Sequence, residues 1–90
     1  MEVINLLITS PAGSCYSAPV WQVTARNCQG LFSIRAHHCA FVTTLEAGVV
    51  EVAETPERRR KYRIEPGVLR VSADTCAIMC EGAAEVPSAT

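Results

Sequence analysis

The 90-residue chain lacks any apolar run near the ~20 residues that a membrane-spanning helix needs, so no segment is expected to insert in a bilayer. It also lacks a basic surplus. Lys and Arg number 8 against 9 Asp and Glu, a formal charge of −1, which speaks against a nucleic-acid partner. The opening "MEVINLLITSP" has neither a basic n-region nor a long apolar h-region, so no secretory leader is expected and the cytoplasm is the predicted location. There the five cysteines would stay reduced, and an odd count leaves no complete disulfide framework.

Catalytic and metal signatures are missing as well. Ser10, Ser14 and Ser17 have no Gly-x-Ser-x-Gly context, no carboxylate pair stands out, and no Cys/His spacing fits a zinc pattern. Cys39 beside His38 is a thiol–base pair only in sequence, since neighbours in the chain rarely have the geometry of a nucleophile and its base. No catalytic, cofactor or metal site is predicted. His37 and His38 would face opposite ways on a strand; in a loop both could turn inward, with Cys28 and Cys39 as the further ligands of a metal site.

What the chain does have is a period of two. Trp21, Val23 and Ala25 alternate with Gln22 and Thr24. Phe32 and Ile34 alternate with Ser33 and Arg35, and Val50 and Val52 flank Glu51. Tyr62 and Ile64 alternate with Lys61 and Arg63, and Leu69 and Val71 with Arg70 and Ser72. One buried and one solvated face per strand is the pattern of antiparallel sheets. Turn signals separate the runs at 10–13, 26–30, 46–48, 65–67 and 72–74, and no amphipathic helix of ten or more residues is found.

The predicted fold is all-β, a small antiparallel β-sandwich or flattened barrel of about 8–10 short strands. Residues 1–81 form the single domain and 82–90, "GAAEVPSAT", a flexible tail. Trp21, Phe32, Ile34, Val50, Val52, Leu69 and Val71 are the predicted core. Cys76 and Cys80 on "TCAIMC" share a face with Ile78 between them and read as small core residues, too far apart along the strand to bridge. The basic run "ERRRKYR" (57–63) reads as a solvated hairpin that discourages edge pairing, with a partner or phosphate role as the alternative.

The order of motifs resembles the amino-terminal β-sandwich domain of the epsilon subunit of rotary ATP synthases. Ser10-Pro11 closes a first strand, and Cys15-Tyr16-Ser17-Ala18 follows. The run from Gly30 to Val50, "GLFSIRAHHCAFVTTLEAGVV", is similar to the family's "GEFGILPGHAPFVTxLxxGVV", and Gly67-Val68-Leu69-Arg70-Val71 with Asp74 and Ile78 matches a later strand pair. The likeness covers roughly residues 3–84.

It implies a non-catalytic central-stalk subunit without a cofactor, coupling a gamma-type stalk subunit to the membrane rotor ring, in the cytoplasm or peripheral on the cytoplasmic face of the inner membrane. It places Leu31, His38, Phe41 and Thr43 at the partner interface, His38 being the histidine of the family's Pro-Gly-His-Ala turn. Leu31 stands where the family has an acidic residue, Ser33 where it has glycine, Ala36-His37 for Pro-Gly and Ala40 for proline. Loss of a glycine and two prolines is expected to loosen or reshape that turn.

The family's inhibitory helical hairpin is not expected, because residues 82–90 are too few and Pro87 interrupts them. The alternative is a stand-alone β-sandwich interaction module, self-associating as a homodimer through a surface around Leu31, Val42 and the cysteines. A third reading, a His/Cys metal module, would carry stoichiometric zinc.

Overall fold

A computed structural model describes residues 2–87. Ten strands run β1 (Ile4–Ser10), β2 (Gly13–Val20), β3 (Gln22–Asn27), β4 (Gly30–Arg35), β5 (Phe41–Leu45), β6 (Gly48–Ala53), β7 (Arg59–Ile64), β8 (Gly67–Ser72), β9 (Thr75–Cys80) and β10 (Ala83–Val86). They form two five-stranded sheets. Sheet one has the order β2-β1-β9-β8-β5 and sheet two β10-β7-β6-β3-β4. The predicted all-β sandwich is the observed fold, and no helix occurs among the described residues.

The alternating residues do what their period dictates. Val23, Ala25, Ile34, Val50, Val52, Tyr62, Ile64, Leu69 and Val71 close on one core between the sheets, joined by Ile4, Leu6 and Ile8 of β1. Cys76 and Cys80 lie in the same core with Ile78 between them. No polar or charged residue is buried among the described residues, so the sandwich interior is held by packing of aliphatic side chains.

Four features differ from the sequence reading. Trp21 is not a core residue. The chain leaves sheet one at Val20 and enters sheet two at Gln22, and Trp21 is the bend between them, half-buried, with its backbone N–H donating to the Ala53 carbonyl at 2.8 Å. Changing sheets resets the alternation, so the parity counted through Trp21 fails there. Phe32 is only partly buried, at the rim.

Not every pair is antiparallel: β1 lies parallel to β9, with Leu6 opposite Cys76 and Ile8 opposite Ile78. Period-two alternation is the same for both directions, so it does not report this. The tail expected over 82–90 is corrected in part. Ala83–Val86 pairs antiparallel with β7, from Ala83↔Ile64 to Val86↔Lys61, and forms an edge of sheet two. Residues 88–90 of that expected tail lie outside the described residues.

Two backbone positions carry local constraint. Gly67 is paired with Cys80, and a Cβ at 67 would collide with the Met79 carbonyl oxygen and the Cys80 Cα. Cys15 has no partner between the Ile8↔Tyr16 and Thr9↔Ser14 pairs, so β2 bulges there.

Candidate functional site

The connection between β4 and β5, residues 36–40, joins an edge of sheet two to an edge of sheet one. Its turn is closed by the His38 N–H donating to the Arg35 carbonyl at 3.2 Å. His37 has a φ of 67°. This left-handed conformation is the one glycine adopts freely and histidine tolerates better than branched residues do. The glycine expected from the family pattern at this position thus has a backbone reason here.

The two histidines engage different partners. His37 Nε2 lies 2.8 Å from Glu2 Oε1, with both side chains about three-quarters exposed (76% and 75%). His38 Nδ1 lies 2.8 Å from the Cys39 carbonyl oxygen, and its ring sits 5.6 Å from the Phe41 ring. No group of three His, Cys, Asp or Glu side chains converges among the described residues.

His38 belongs instead to an aromatic rim. Phe41 meets Phe32 edge to face, centroids 5.8 Å apart and planes at 71°. Thr43, two residues along the same face of β5, accepts a hydrogen bond from Asn27 Nδ2 at 3.3 Å. His38, Phe41 and Thr43 therefore line one seam where β5 approaches the β3–β4 hairpin. Leu31 is separate from them. It is 66% exposed and points out of sheet two, opposite in parity to Phe32.

A second surface was anticipated in the sequence reading only at Val42. Val42, Val68 and Met79 face outward from sheet one at 64%, 36% and 48% exposure. Val68 is paired with Met79, and Val42 with Arg70. A shallow groove lined by Ser10, Pro11, Pro66, Gly67 and Met79 continues this apolar face. The signal lay in the strands: an aliphatic at both parities, as in Val68-Leu69 and Ile78-Met79, breaks the apolar-in, polar-out rule.

The opposite rim is fastened by polar contacts. Tyr16 of β2 donates to Glu54 Oε2 at 2.6 Å, and Arg60 Nε lies 3.3 Å from the same oxygen. Arg60 also reaches Glu85 of β10 at 3.5 Å. Burial, then the Glu54 contact, pushes the Tyr16 hydroxyl well above its usual range, so it stays protonated as a donor.

Fold and surfaces define a β-sandwich domain whose distinctive features are an aromatic seam and an apolar sheet face. The chain belongs to the family described as ATP synthase, Delta/Epsilon chain, beta-sandwich domain, which matches residues 3–86. It is similar to the ATP synthase epsilon chain of Campylobacter hominis, 33% identical over 84 residues, covering 92% of this chain and 65% of that one. The ATP synthase epsilon chain of Sulfurimonas denitrificans is 29% identical over 86 residues, with 96% and 66% covered.

This chain thus spans about two thirds of the length of these relatives. In fold it is similar to a chain of the Euglena gracilis mitochondrial ATP synthase OSCP/F1/c-ring assembly. The TM-score is 0.87 at 24% identity, over 94% of this chain and 54% of the other.

Proposed function

We propose that this chain is an epsilon-type central-stalk subunit of a rotary ATP synthase that works by contact and not by chemistry. The family match across the whole sandwich carries this reading. A gamma-type stalk subunit would pack on the apolar outer face of sheet one and the adjoining seam of His38, Phe41 and Thr43. The loop edge around 29–41, with Leu31, would meet the membrane rotor ring. A rigid two-sheet core then holds the two partners in register, on the cytoplasmic side and peripheral to the membrane.

Co-expression with the gamma-type subunit of the same cell tests this. The pair should co-purify. Val68→Asp with Met79→Asp should abolish the complex with the circular dichroism spectrum unchanged, since two buried carboxylates would oppose an apolar interface. Leu31→Asp should leave gamma binding intact. A wild-type chain that remains alone, and dimerises through Val42 and its neighbours, would favour the self-associating module instead.

A further inference from the structure

The two outer faces of the sandwich differ in charge as well as in polarity. Of the nine acidic residues, only Glu51 and Glu85 lie in strands; the others occupy the connections and the segment before β1. Of the eight cations seven lie in strands, and of these only Arg70 points out of sheet one. Arg59, Lys61 and Arg63 alternate with the buried Tyr62 and Ile64 and so point out of sheet two. Arg26 of β3 and Arg35 of β4 alternate with the buried Ala25 and Ile34 and point out of the same face.

Glu51 is the one strand carboxylate facing that way, paired with Arg59 at 2.9 Å. Glu85 is opposite Tyr62, in inward parity, and turns to Arg60 at the rim. Five cations thus share a face with one carboxylate on a chain of net charge −1. Arg26, Lys61 and Arg63 are exposed and make no ion pair among the described residues.

We propose that the outer face of sheet two docks on an anionic lipid bilayer. Lys61 and Arg63 stand about 7 Å apart along β7 and Arg26 about 10 Å away across β6, given the rise and spacing of strands. A sheet holds such charges in a plane. Convergent donors in an enclosed site, which a single phosphate ion or nucleotide would require, are not what this plane offers. One depression beside it is lined by Arg63, Glu65, Gly82, Ala83 and Ala84 and another by Glu2, Trp21, Arg35 and Ala36; the Glu65 and Glu2 carboxylates repel an anion there.

Val49 and Leu31, 40% and 66% exposed, lie among the cations on this face. Aliphatic groups between cations suit headgroups over acyl chains. A polynucleotide would call for stacking platforms. Trp21, the aromatic nearest this face among the described residues, is covered by the Arg35 guanidinium at 4.1 Å from the ring centroid. The face is one that the proposed gamma contact leaves free, but it shares Leu31 and Arg35 with the edge proposed for the rotor ring, so bilayer docking and ring contact exclude each other at those two residues.

Sedimentation of the full chain with vesicles tests it. The chain should partition onto phosphatidylcholine vesicles containing about 30% phosphatidylglycerol at low salt, and not onto pure phosphatidylcholine. The partition constant should fall at least about tenfold between ~50 and ~300 mM salt as the charges are screened. Lys61→Glu with Arg63→Glu should lower it by about tenfold or more, Lys61→Gln with Arg63→Gln by less, and Ser17→Asp on the exposed side of the other sheet by under about twofold. The glutamine pair keeps the test valid if charge reversal unfolds the chain, as circular dichroism would report. Absence of phosphatidylglycerol-dependent partition, a glutamine pair as good as wild type, or tighter binding to a DNA duplex than to these vesicles would overturn the proposal.

Discussion

Leu69 is fully buried between the sheets, and its side chain has no route to water. Leu69→Ala should cost about 2–5 kcal/mol in urea unfolding, the transfer term plus the cavity left behind. Two other residues are constrained by backbone and not by packing. Ala73, at φ 54°, is the first residue of the two-residue turn between the paired Ser72 and Thr75, where glycine is favoured. Ala73→Gly should stabilise by about 0.5–1 kcal/mol, the left-handed penalty less the entropy of glycine, and raise Tm by about 2–6 °C. At His37, Val should lower stability by about 1–2 kcal/mol, since a branched side chain resists that φ. Calorimetry reads both.

The cysteines divide by burial. Cys28 and Cys39 are exposed, Cys15 is half-buried, and Cys76 and Cys80 are buried. A disulfide exchange reagent should titrate Cys28 and Cys39 fast, and Cys76 and Cys80 only on unfolding. Burial pushes the Cys76 thiol up to about 12. Its folded pKa then exceeds the unfolded value of about 8.5, so the unfolded chain loses this proton first. The contribution to stability is whole below pH ~8.5 and is lost as pH rises toward 12; Cys76→Ala should flatten that part of the stability–pH curve.

At the scale of the element, β10 is the instructive case. It has four residues, one of them partly buried against the core, and it covers the β7 edge while Glu85 holds Arg60. A chain ending at Glu81 should still fold but lose about 1–3 kcal/mol, the yield of two or so ladder bonds and one packed methyl. It should also self-associate more readily, because β7 would become a bare edge. Analytical ultracentrifugation and urea unfolding check this; an unchanged midpoint would mean that β10 contributes no stability. The composition "GAAEVPSAT" hid this strand, since small residues carry little β-signal and the partner residues that fix them lie 19 to 25 positions upstream.

For the whole molecule, both sheets contribute to a single cluster of buried side chains, so neither has a core of its own. Unfolding should be one cooperative step, and the far-UV β-signal and Trp21 fluorescence should give coincident midpoints. Trp21 reports well because it sits at the crossing from sheet one to sheet two. Separate midpoints would mean that the sheets come apart before they melt. The division of surface also belongs to this scale: Val42, Val68 and Met79 with one cation, Arg70, outside sheet one, and five cations with Val49 and Leu31 outside sheet two.

Most of the strands, most of their inward residues and five of their turns were determined by local sequence, because alternation and turn chemistry are read over two to five residues; β10, Trp21 and Phe32 are the exceptions. Ser10-Pro11, Asn27, Gly48, Pro66-Gly67 and Ala73-Asp74 each mark a connection without help from the fold. The family resemblance, too, was carried by residues close in sequence, Gly30 to Val50 and Gly67 to Val71. Tertiary structure alone decided the rest. Which sheet each strand joins depends on long-range pairing, such as β1 beside β9, about 70 residues apart. The seam of His38, Phe41 and Thr43 exists because β5 is brought against the β3–β4 hairpin. Arg26, Arg35 and the 59–63 run become one basic face only because β3, β4 and β7 enter the same sheet with the same parity, a coincidence of register that no window of sequence contains.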